Sequence, residues 1–410
     1  MFKKRISPFA CIVIALCACA VTFVSVFSWA SCRNAESNIG TRIDSGVSAG
    51  EGSRNAAYDR FSEIIDMINS KYLRDYKSDE FWTAAYKAAV RSLGDAYSDY
   101  YTAEEYSAML DSSKGDFVGI GVHACYDEDT GGVYIFRVMP DSPAQEAGIL
   151  DGDVIVEAAG TRANADNYYD IIDLIRGKEG TKAEIKVLRG GEELEFSVTR
   201  RSVPSENVLF SDLGSGVAYV RILSFSDMTV ASLFEKTVND ALDSGFDKFI
   251  FDVRNNGGGY LDQVLEMLDI LLPEGPIINI VDKNGNTETK YSDAECIKAE
   301  MVVLCNGSTA SAAELFTAAL RDYGLATIIG EQTFGKGTMQ TTYRLTDEGD
   351  AIKLSTDYYN PPSNVSYDGV GITPDIVSKL GEEWEKRFFK MHPEDDTQLK
   401  RALEVITGAD

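Results

Sequence analysis

The chain has 410 residues, 44% of them hydrophobic and 25% charged, and a net charge of −26. That length predicts two or three domains of ordinary globular composition rather than one core. So acidic a body is repelled by phosphate backbones and anionic lipid heads, which disfavours nucleic-acid binding and leaves solubility as the meaning of the charge. The seven cysteines, Cys11, Cys17, Cys19, Cys32, Cys125, Cys296 and Cys305, lack paired metal spacing. They predict no metal site, no cofactor and no disulfide framework, with a Cys296–Cys305 bridge left open.

In chain order, Lys3, Lys4 and Arg5 precede an uncharged stretch from Ile6 to Cys32. Within it Phe9–Ala30 is about 22 residues long, enough to span a bilayer as a helix and longer than the apolar part of a signal peptide. Ser28-Trp29-Ala30 resembles a cleavage site, and Cys32 leaves lipidation open. The favoured expectation is an uncleaved anchor over residues 1–32, cytoplasmic at its N-terminus, with the body of the chain outside the cytoplasm. Residues 33–55 are rich in Ser, Gly and Asn and predict a flexible tether.

Residues 56–114 predict helices. Phe61, Ile64, Ile65, Ile68 and Tyr72 make one stripe, and Phe81, Ala84, Ala85, Ala88 and Ala89 a second. Thr102 followed by Glu105 is a capping box. Packing is the role expected of all of these.

Residues 115–201 read as short strands and turns. Phe117-Val118-Gly119-Ile120-Gly121 is a glycine loop whose successive N–H groups are able to hold a terminal carboxylate, while the adjoining strand edge pairs with an extended peptide. SPAQEAGILDGDVIVEAAG follows. Together these segments resemble a PDZ domain, which implies that Phe117 to Gly121 bind peptide. The resemblance places a helix at Asn167–Arg176 and the last strands at Ala183–Val187 and Leu194–Val198. His123 lies just past the loop and reads as a sheet residue.

Residues 202–380 form the third unit. Val217–Ile222 and Phe249–Val253 fit buried strands, with an amphipathic helix over Thr229–Ser244 between them, which predicts a partly parallel sheet. Three glycines at Gly257–Gly259 follow, either a tight turn or N–H donors facing a site. Met301–Cys305 is another strand, and Ala312, Leu315, Phe316, Ala319 and Leu320 have helical spacing. Ser311 therefore sits where a strand turns into a helix, beside the free N–H groups of the helix's first turn. The chain has only two histidines, His123 and His392, and neither falls in a stretch that reads as part of this site. A Ser-Lys pair is the alternative to a histidine triad. Lys336 lies between Gly335 and Gly337, which let the backbone turn the lysine inward, and Gln340 is placed to orient its amine. On these residues alone, Ser311 is also readable as a helix N-cap and Lys336 as a solvated loop residue. Residues 381–410 add a last helix carrying Leu399, Leu403 and Ile406.

The stretch Met301–Gln340 resembles the core of the carboxy-terminal processing peptidases, the tail-specific serine proteases. Their pattern is N-x-G-S-A-S-A-S-E followed by T-F-G-K-G-x-x-Q. Asn306, Ser311, Glu314, Thr333 to Thr338 and Gln340 match in register, while Ser308, Thr309 and Ala313 depart without removing a reacting group. RNNGGG and DGVGITPDI resemble further family segments, with Gly257 where proline is usual. The resemblance runs from about Tyr58 to the C-terminus. It implies a mixed α+β architecture: an N-terminal helical region, a PDZ domain and an αβ catalytic core with a crotonase-like or ClpP-like spiral. It implies Ser311 as nucleophile, Lys336 as base, Gln340 as supporting amide, and an oxyanion hole from the N–H groups of Ala312 and Gly258, with Gly258 preferred over Gly259. The implied function is a membrane-tethered serine endopeptidase acting on polypeptides held by their C-termini, with oligomerisation left open. The alternative is a catalytically silent PDZ-containing binding or scaffolding protein of the same fold, which the retention of Ser311 and Lys336 opposes.

Overall fold

The computed structural model describes residues 51–113, 117–345 and 349–409, the side chains of 51–55, 111–113 and 117 excepted. The expected membrane anchor and most of the tether lie outside these residues. Among the described residues no helix is long and apolar enough to cross a membrane. The chain separates into two compact bodies, the boundary falling between Asp95 and Ala96.

The first body is a pair of helices, α1 (Glu51–Lys71) and α2 (Ser78–Arg91), so helix begins inside the segment expected to be a tether. An aromatic cluster joins the pair: Trp82 lies 6.2 Å from Phe61 and 5.5 Å from Phe81 between ring centres. The predicted α1 stripe is only partly packed, since Phe61, Ile64 and Tyr72 remain exposed.

The second body opens with β1 (Asp99–Tyr101) and α3 (Ala103–Ser113). The capping box starts α3: the Thr102 N–H donates to Glu105 at 2.9 Å, and the Glu105 N–H to Thr102 Oγ1 at 3.3 Å. Next comes the PDZ module: β2 (Phe117–Gly119), β3 (Val122–Tyr126), β4 (Val133–Val138), α4 (Pro143–Ala147), β5 (Val154–Ala158), β6 (Thr161–Arg162), α5 (Tyr168–Ile175), β7 (Lys182–Arg189), β8 (Glu192–Thr199) and β9 (Arg201–Val203). Its antiparallel sheet runs β3-β4-β5-β7-β8, so β3 is an edge strand, and β2 pairs separately with β9. Ile135, Ile155, Ile171, Ile185 and Val187 fill its core.

The catalytic-core candidate follows with β10 (Val208–Asp212), β11 (Val217–Ile222), α6 (Val230–Asp243), β12 (Lys248–Asp252), α7 (Leu261–Leu271), β13 (Gly275–Asp282), β14 (Thr287–Ser292), β15 (Glu300–Cys305), α8 (Ala312–Asp322), β16 (Ala326–Gly330), β17 (Thr338–Arg344), β18 (Ala351–Asn360) and β19 (Ile376–Val377). Its main sheet has the order β10-β11-β12-β15-β16-β19, parallel throughout except for antiparallel β10. Both faces are covered, which explains why these strands read as continuous apolar runs. One face, with Val220, Phe251 and Val303, packs under α6, α7 and α8. The other, with Ile250, Val302 and Leu304, packs under the last helix, α10 (Thr397–Thr407), which follows α9 (Glu382–Lys386) and a single 3₁₀ turn at Phe388–Lys390. A second sheet joins β1, β13, β14 and β17 through β18. The mixed α/β architecture implied by the sequence is thus observed. Cys125, Cys296 and Cys305 are free thiols, so no Cys296–Cys305 bridge forms.

The end of β12 is tied to α10 through charge. Arg254 is buried, its Nη2 2.6 Å from Asp252 and 2.7 Å from Asp396, and its Nη1 2.9 Å from Gln398. A buried arginine needs paired carboxylates to offset its desolvation, and here two are supplied from distant parts of the chain.

Candidate active site

Four loops meet at the carboxyl ends of β11, β12, β15 and β16. The loop after β15 carries Ser311, whose backbone has φ 59° and ψ −122°, a conformation rare for a residue with a Cβ. Such strain costs on the order of 1–3 kcal/mol and persists only where neighbours over-determine it. The neighbours are plain here. Thr309 Oγ1 donates to the Val253 carbonyl at 2.8 Å, and the Ala310 N–H donates to the Asn256 carbonyl at 2.9 Å. The Asn255 N–H donates to Asn306 Oδ1 at 3.0 Å, joining the loop after β12 to the loop after β15.

Glu314, fully buried in the first turn of α8, joins the serine turn to the lysine loop. Its carboxylate accepts from the Ser311 N–H at 2.9 Å, the Lys336 N–H at 2.8 Å, the Gly335 N–H at 2.7 Å and the Thr333 hydroxyl at 2.6 Å. Burial raises its pKa, and these four donors work against that rise. The glycines beside Lys336 have a steric cause. Gly335 has φ 91°, and a Cβ there would meet the Gly371 nitrogen at 2.8 Å. A Cβ on Gly337 would meet Asp368 Cβ at 2.9 Å. The DGVG segment is therefore the surface that shapes the lysine loop.

Lys336 is 5% exposed, as the inward turn predicted, and its Nζ lies 4.3 Å from the centre of the Tyr97 ring. Ser311 Oγ is hydrogen-bonded to the Tyr359 hydroxyl at 3.2 Å, not to Lys336. Gln340 departs from its expected place. Its amide donates to the Thr338 carbonyl at 3.2 Å and to Ser355 Oγ at 3.1 Å, so the structure does not bring it to the Lys336 amine. The reason is register: Gln340 lies on β17 opposite Ser355 of β18, and a sheet neighbour takes its donor.

Gly258 presses against the serine turn, since a Cβ there would meet Ser311 Cβ and the Ala310 oxygen at 2.8 Å and the Ala312 nitrogen at 2.9 Å. Its own N–H donates within the loop to Asn256 Oδ1 at 2.9 Å. Gly259 is required for a different reason, because a Cβ there would collide with the Phe225 backbone. Ala312 opens α8, so its N–H has no intrahelical acceptor.

A cleft of about 810 Å³ lies over these loops and is lined by Gly257, Ala310, Phe334 and Lys336 on one side. Its other side is the PDZ module: His123, Ala124, Cys125 and Tyr126 of edge strand β3, and Tyr168 of α5. The sequence reading set His123 apart from the site, but the fold brings it to this cleft. Its Nε2 is 3.1 Å from the Glu206 carbonyl, and burial holds its pKa below the ordinary histidine value. Cys125 is no rival nucleophile, since burial pushes its thiol up to about 12. Of the expected peptide loop, Phe117, Val118 and Gly119 form β2 paired with β9, Ile120 is buried in the PDZ core, and Gly121 packs against Ser142. Sequence reasoning missed Glu314 as the joint of the site, the Asn255, Asn256 and Asn306 clasp, and Tyr359. The matched family segments held Glu314, Asn306 and, in RNNGGG, Asn255 and Asn256, but nothing signalled Tyr359.

A strained serine turn and a buried lysine loop are thus held by one carboxylate above the ends of a parallel sheet. Residues 216–378 match Peptidase family S41 and residues 134–189 match the PDZ domain. The core domain is thus similar to peptidase family S41, and the match to a PDZ domain precedes it. The chain is 32% identical over 326 residues to a "Probable CtpA-like serine protease" of Staphylococcus aureus (strain bovine RF122 / ET3-1), covering 78% of this chain. It is 31% identical over 320 residues to a protein of the same description from Staphylococcus saprophyticus, covering 77% of this chain. It spans 65% and 64% of the lengths of those relatives. Among solved structures it is similar to a photosystem II D1 C-terminal processing protease, with TM-score 0.51 and 25% identity, covering 81% of this chain and 91% of that one. A Bacteroides fragilis NCTC 9343 structure shares the fold, with TM-score 0.58 and 18% identity over 83% of this chain and 92% of that one.

Proposed function

We propose that this protein is a serine endopeptidase that takes polypeptides by their C-termini through the PDZ module and cleaves them with Ser311 and Lys336. The observation that carries the reading is the Glu314 carboxylate, whose Oε2 accepts from both the Ser311 N–H and the Lys336 N–H. The bond to the Ser311 N–H is that of a helix capping box, and the bonds to the Lys336 and Gly335 N–H groups and the Thr333 hydroxyl go beyond what a cap uses. In the reaction, Lys336 Nζ leaves its position over Tyr97 and takes the Ser311 proton as Oγ attacks the scissile carbonyl. It then gives that proton to the leaving amine. The Ala312 and Gly258 N–H groups receive the oxyanion, which requires Gly258 to release Asn256; one such donor is commonly worth roughly 3–4 kcal/mol.

Substrate entry is read from the cleft. An extended peptide added to edge strand β3 lies along His123 to Tyr126, which share their cavity with Ala310 and Lys336. The test is cleavage of an unstructured polypeptide in free-acid and C-terminally amidated forms, by the wild type and by Ser311→Ala. Loss of cleavage in the variant supports the nucleophile, and faster cleavage of the free acid supports capture of the C-terminus. Equal rates for the two forms would show that the PDZ module does not read the carboxylate.

A second reading, a binding protein of the same fold without activity, draws on the Ser311–Tyr359 bond, the Gly258–Asn256 bond and the position of Gln340. Failure of wild-type Ser311 to react with a fluorophosphonate, with or without peptide, would favour it. For location we propose a single-pass anchor over Phe9–Ala30 with the body outside the cytoplasm, on the length of that apolar run and its basic leader. N-terminal sequencing of the mature protein checks this: a start at Ser31 means a cleaved signal peptide, and a lipidated Cys32 means a lipoprotein.

A further inference from the structure

Tyr359 stands at the end of β18, buried, with its hydroxyl 2.8 Å from the Lys336 carbonyl oxygen and 3.2 Å from Ser311 Oγ. A phenol has one proton. The shorter contact is to a carbonyl, which only accepts, so the phenol proton lies there. The Tyr359 oxygen is then left to accept the proton of Ser311. The Tyr367 ring, 6.0 Å away and edge-on, fixes the Tyr359 ring but does not explain where the hydroxyl points.

We propose that Tyr359 is a catch on the nucleophile: it holds the Ser311 hydroxyl toward an oxygen unable to take its proton, and Ser311 reacts only after turning from Tyr359 to Lys336. The proposal rests on the reading of Ser311 as nucleophile and Lys336 as base. The protons balance simply. On release, the Ser311 O–H exchanges its acceptor from the Tyr359 oxygen to the neutral Lys336 Nζ. As the bond from Oγ to the acyl carbon forms, that proton passes to Nζ. The phenol proton stays on Tyr359 throughout, donated to the Lys336 carbonyl. Burial drives the phenol pKa upward, which keeps Tyr359 protonated and removes it as a rival base. The second bond of Tyr359 gives the catch its anchor, because the Lys336 backbone is itself fixed to Glu314.

The experiment is the rate of fluorophosphonate labelling of the full chain without peptide, for the wild type, Tyr359→Phe and Ser311→Ala. Freed of the catch, Tyr359→Phe is expected to label about threefold to tenfold faster, the factor that the net value of one neutral hydrogen bond supplies. Labelling at the wild-type rate or slower, with an unchanged unfolding midpoint, overturns the proposal. If Tyr359→Phe does not fold, 3,5-difluorotyrosine at position 359 decides. It keeps size and donor but weakens the oxygen as an acceptor, so faster labelling supports the catch, and an unchanged or slower rate overturns it. Labelling of Ser311→Ala as fast as the wild type would instead defeat the nucleophile assignment, an outcome distinct from a silent Ser311→Ala beside an unaccelerated Tyr359→Phe.

Discussion

Around Ser311 the bonds are buried and mostly to backbone: Glu314 accepts three N–H groups, and Asn256 and Asn306 hold the adjoining turns. Between the PDZ module and the core the same chain uses a different material. Arg387 pairs with Asp129 at 2.6 Å, Lys390 with Asp127 at 2.5 Å and with Asp129 at 3.1 Å, and the Phe389 ring stacks on Phe136 at 4.2 Å. Phe388 and Phe389 in turn lie 4.8 Å and 4.9 Å from the Arg221 guanidinium. Buried bonds to backbone with fixed directions hold atoms to fractions of an ångström, whereas the exposed Arg387–Asp129 pair and a ring stack tolerate sliding. The serine turn is thus built for geometry and the PDZ joint for adjustment, as the roles proposed for them require.

The largest effect expected is on the site itself. Lys336→Arg keeps the charge but removes the base, because arginine stays protonated at any usable pH. Turnover is expected to fall about 10⁴-fold or more, as when a member of a catalytic unit is lost. Measured peptide hydrolysis by Lys336→Arg at more than a few per cent of wild type would sink the Ser-Lys pair. Next comes Glu314→Gln. The amide presents an N–H where one of four buried donors needs an acceptor, and we expect a loss of about 3 kcal/mol of stability by urea unfolding. Turnover should fall with it, because Ser311 and Lys336 lose their common anchor. A variant as stable and active as the wild type would show that the serine turn is not over-determined.

How far these regions could be read in the sequence follows from the same contrast. The βαβ order, the strand ending at Cys305 and the α8 stripe are local patterns with a fixed period, so they were legible. The strand-to-helix turn at Ser311 and the inward loop at Lys336 were legible because a serine at such a turn and a lysine between glycines are local too. Gln340 was misplaced because its partner is chosen by the register of β17 on β18, which sequence spacing does not carry. Tyr359 and Asp368 reach the site from segments beyond β17, and no periodicity announces them. In the strap Glu382–Lys390 no periodic pattern stands out before the last helix. Its Arg387-Phe388-Phe389-Lys390 run gains meaning only beside Phe136 and Asp127.

On the adjustable side, Phe389→Ala removes the ring that lies between Phe136 and Arg221. The expected loss is about 1–2 kcal/mol, the range of an aromatic pair beyond simple burial. Limited proteolysis should find the chain between Arg201 and Val208 cut faster, while fluorophosphonate labelling of Ser311 stays within about twofold of wild type. Labelling that falls steeply would mean that the strap holds the serine turn as well, and the contrast between the two regions would be lost.

The smallest effect expected is a pH dependence of the joint. Hydrogen bonds from Arg387 and Lys390 hold the Asp129 carboxyl below its ordinary value of 3.8. A depressed carboxyl contributes stability that is present above the unfolded value and is lost as pH falls through the folded one. For Lys390, burial lowers the pKa, but the bonds to Asp127 and Asp129 outweigh it, so the group ends above its ordinary 10.5. Its contribution is present below that value and is lost as pH rises through the higher folded one. Both pairs therefore act together in the broad middle range and fail first on the acid side, below about pH 4, where Asp129 takes up its proton. Amide exchange along β3 and β4 reports the opening. Protection there should fall by less than about threefold between pH 6 and pH 3, after correction for the intrinsic rate, since exposed pairs contribute little. Added salt at neutral pH should reproduce part of the fall by screening. Asp129→Asn should weaken both responses, leaving only what the Lys390–Asp127 pair contributes, while the amides of β12 and β15 beside the serine turn stay protected in every case. Exchange at β12 that rises in step with β3 would mean that the charged strap and the buried turn open as one unit.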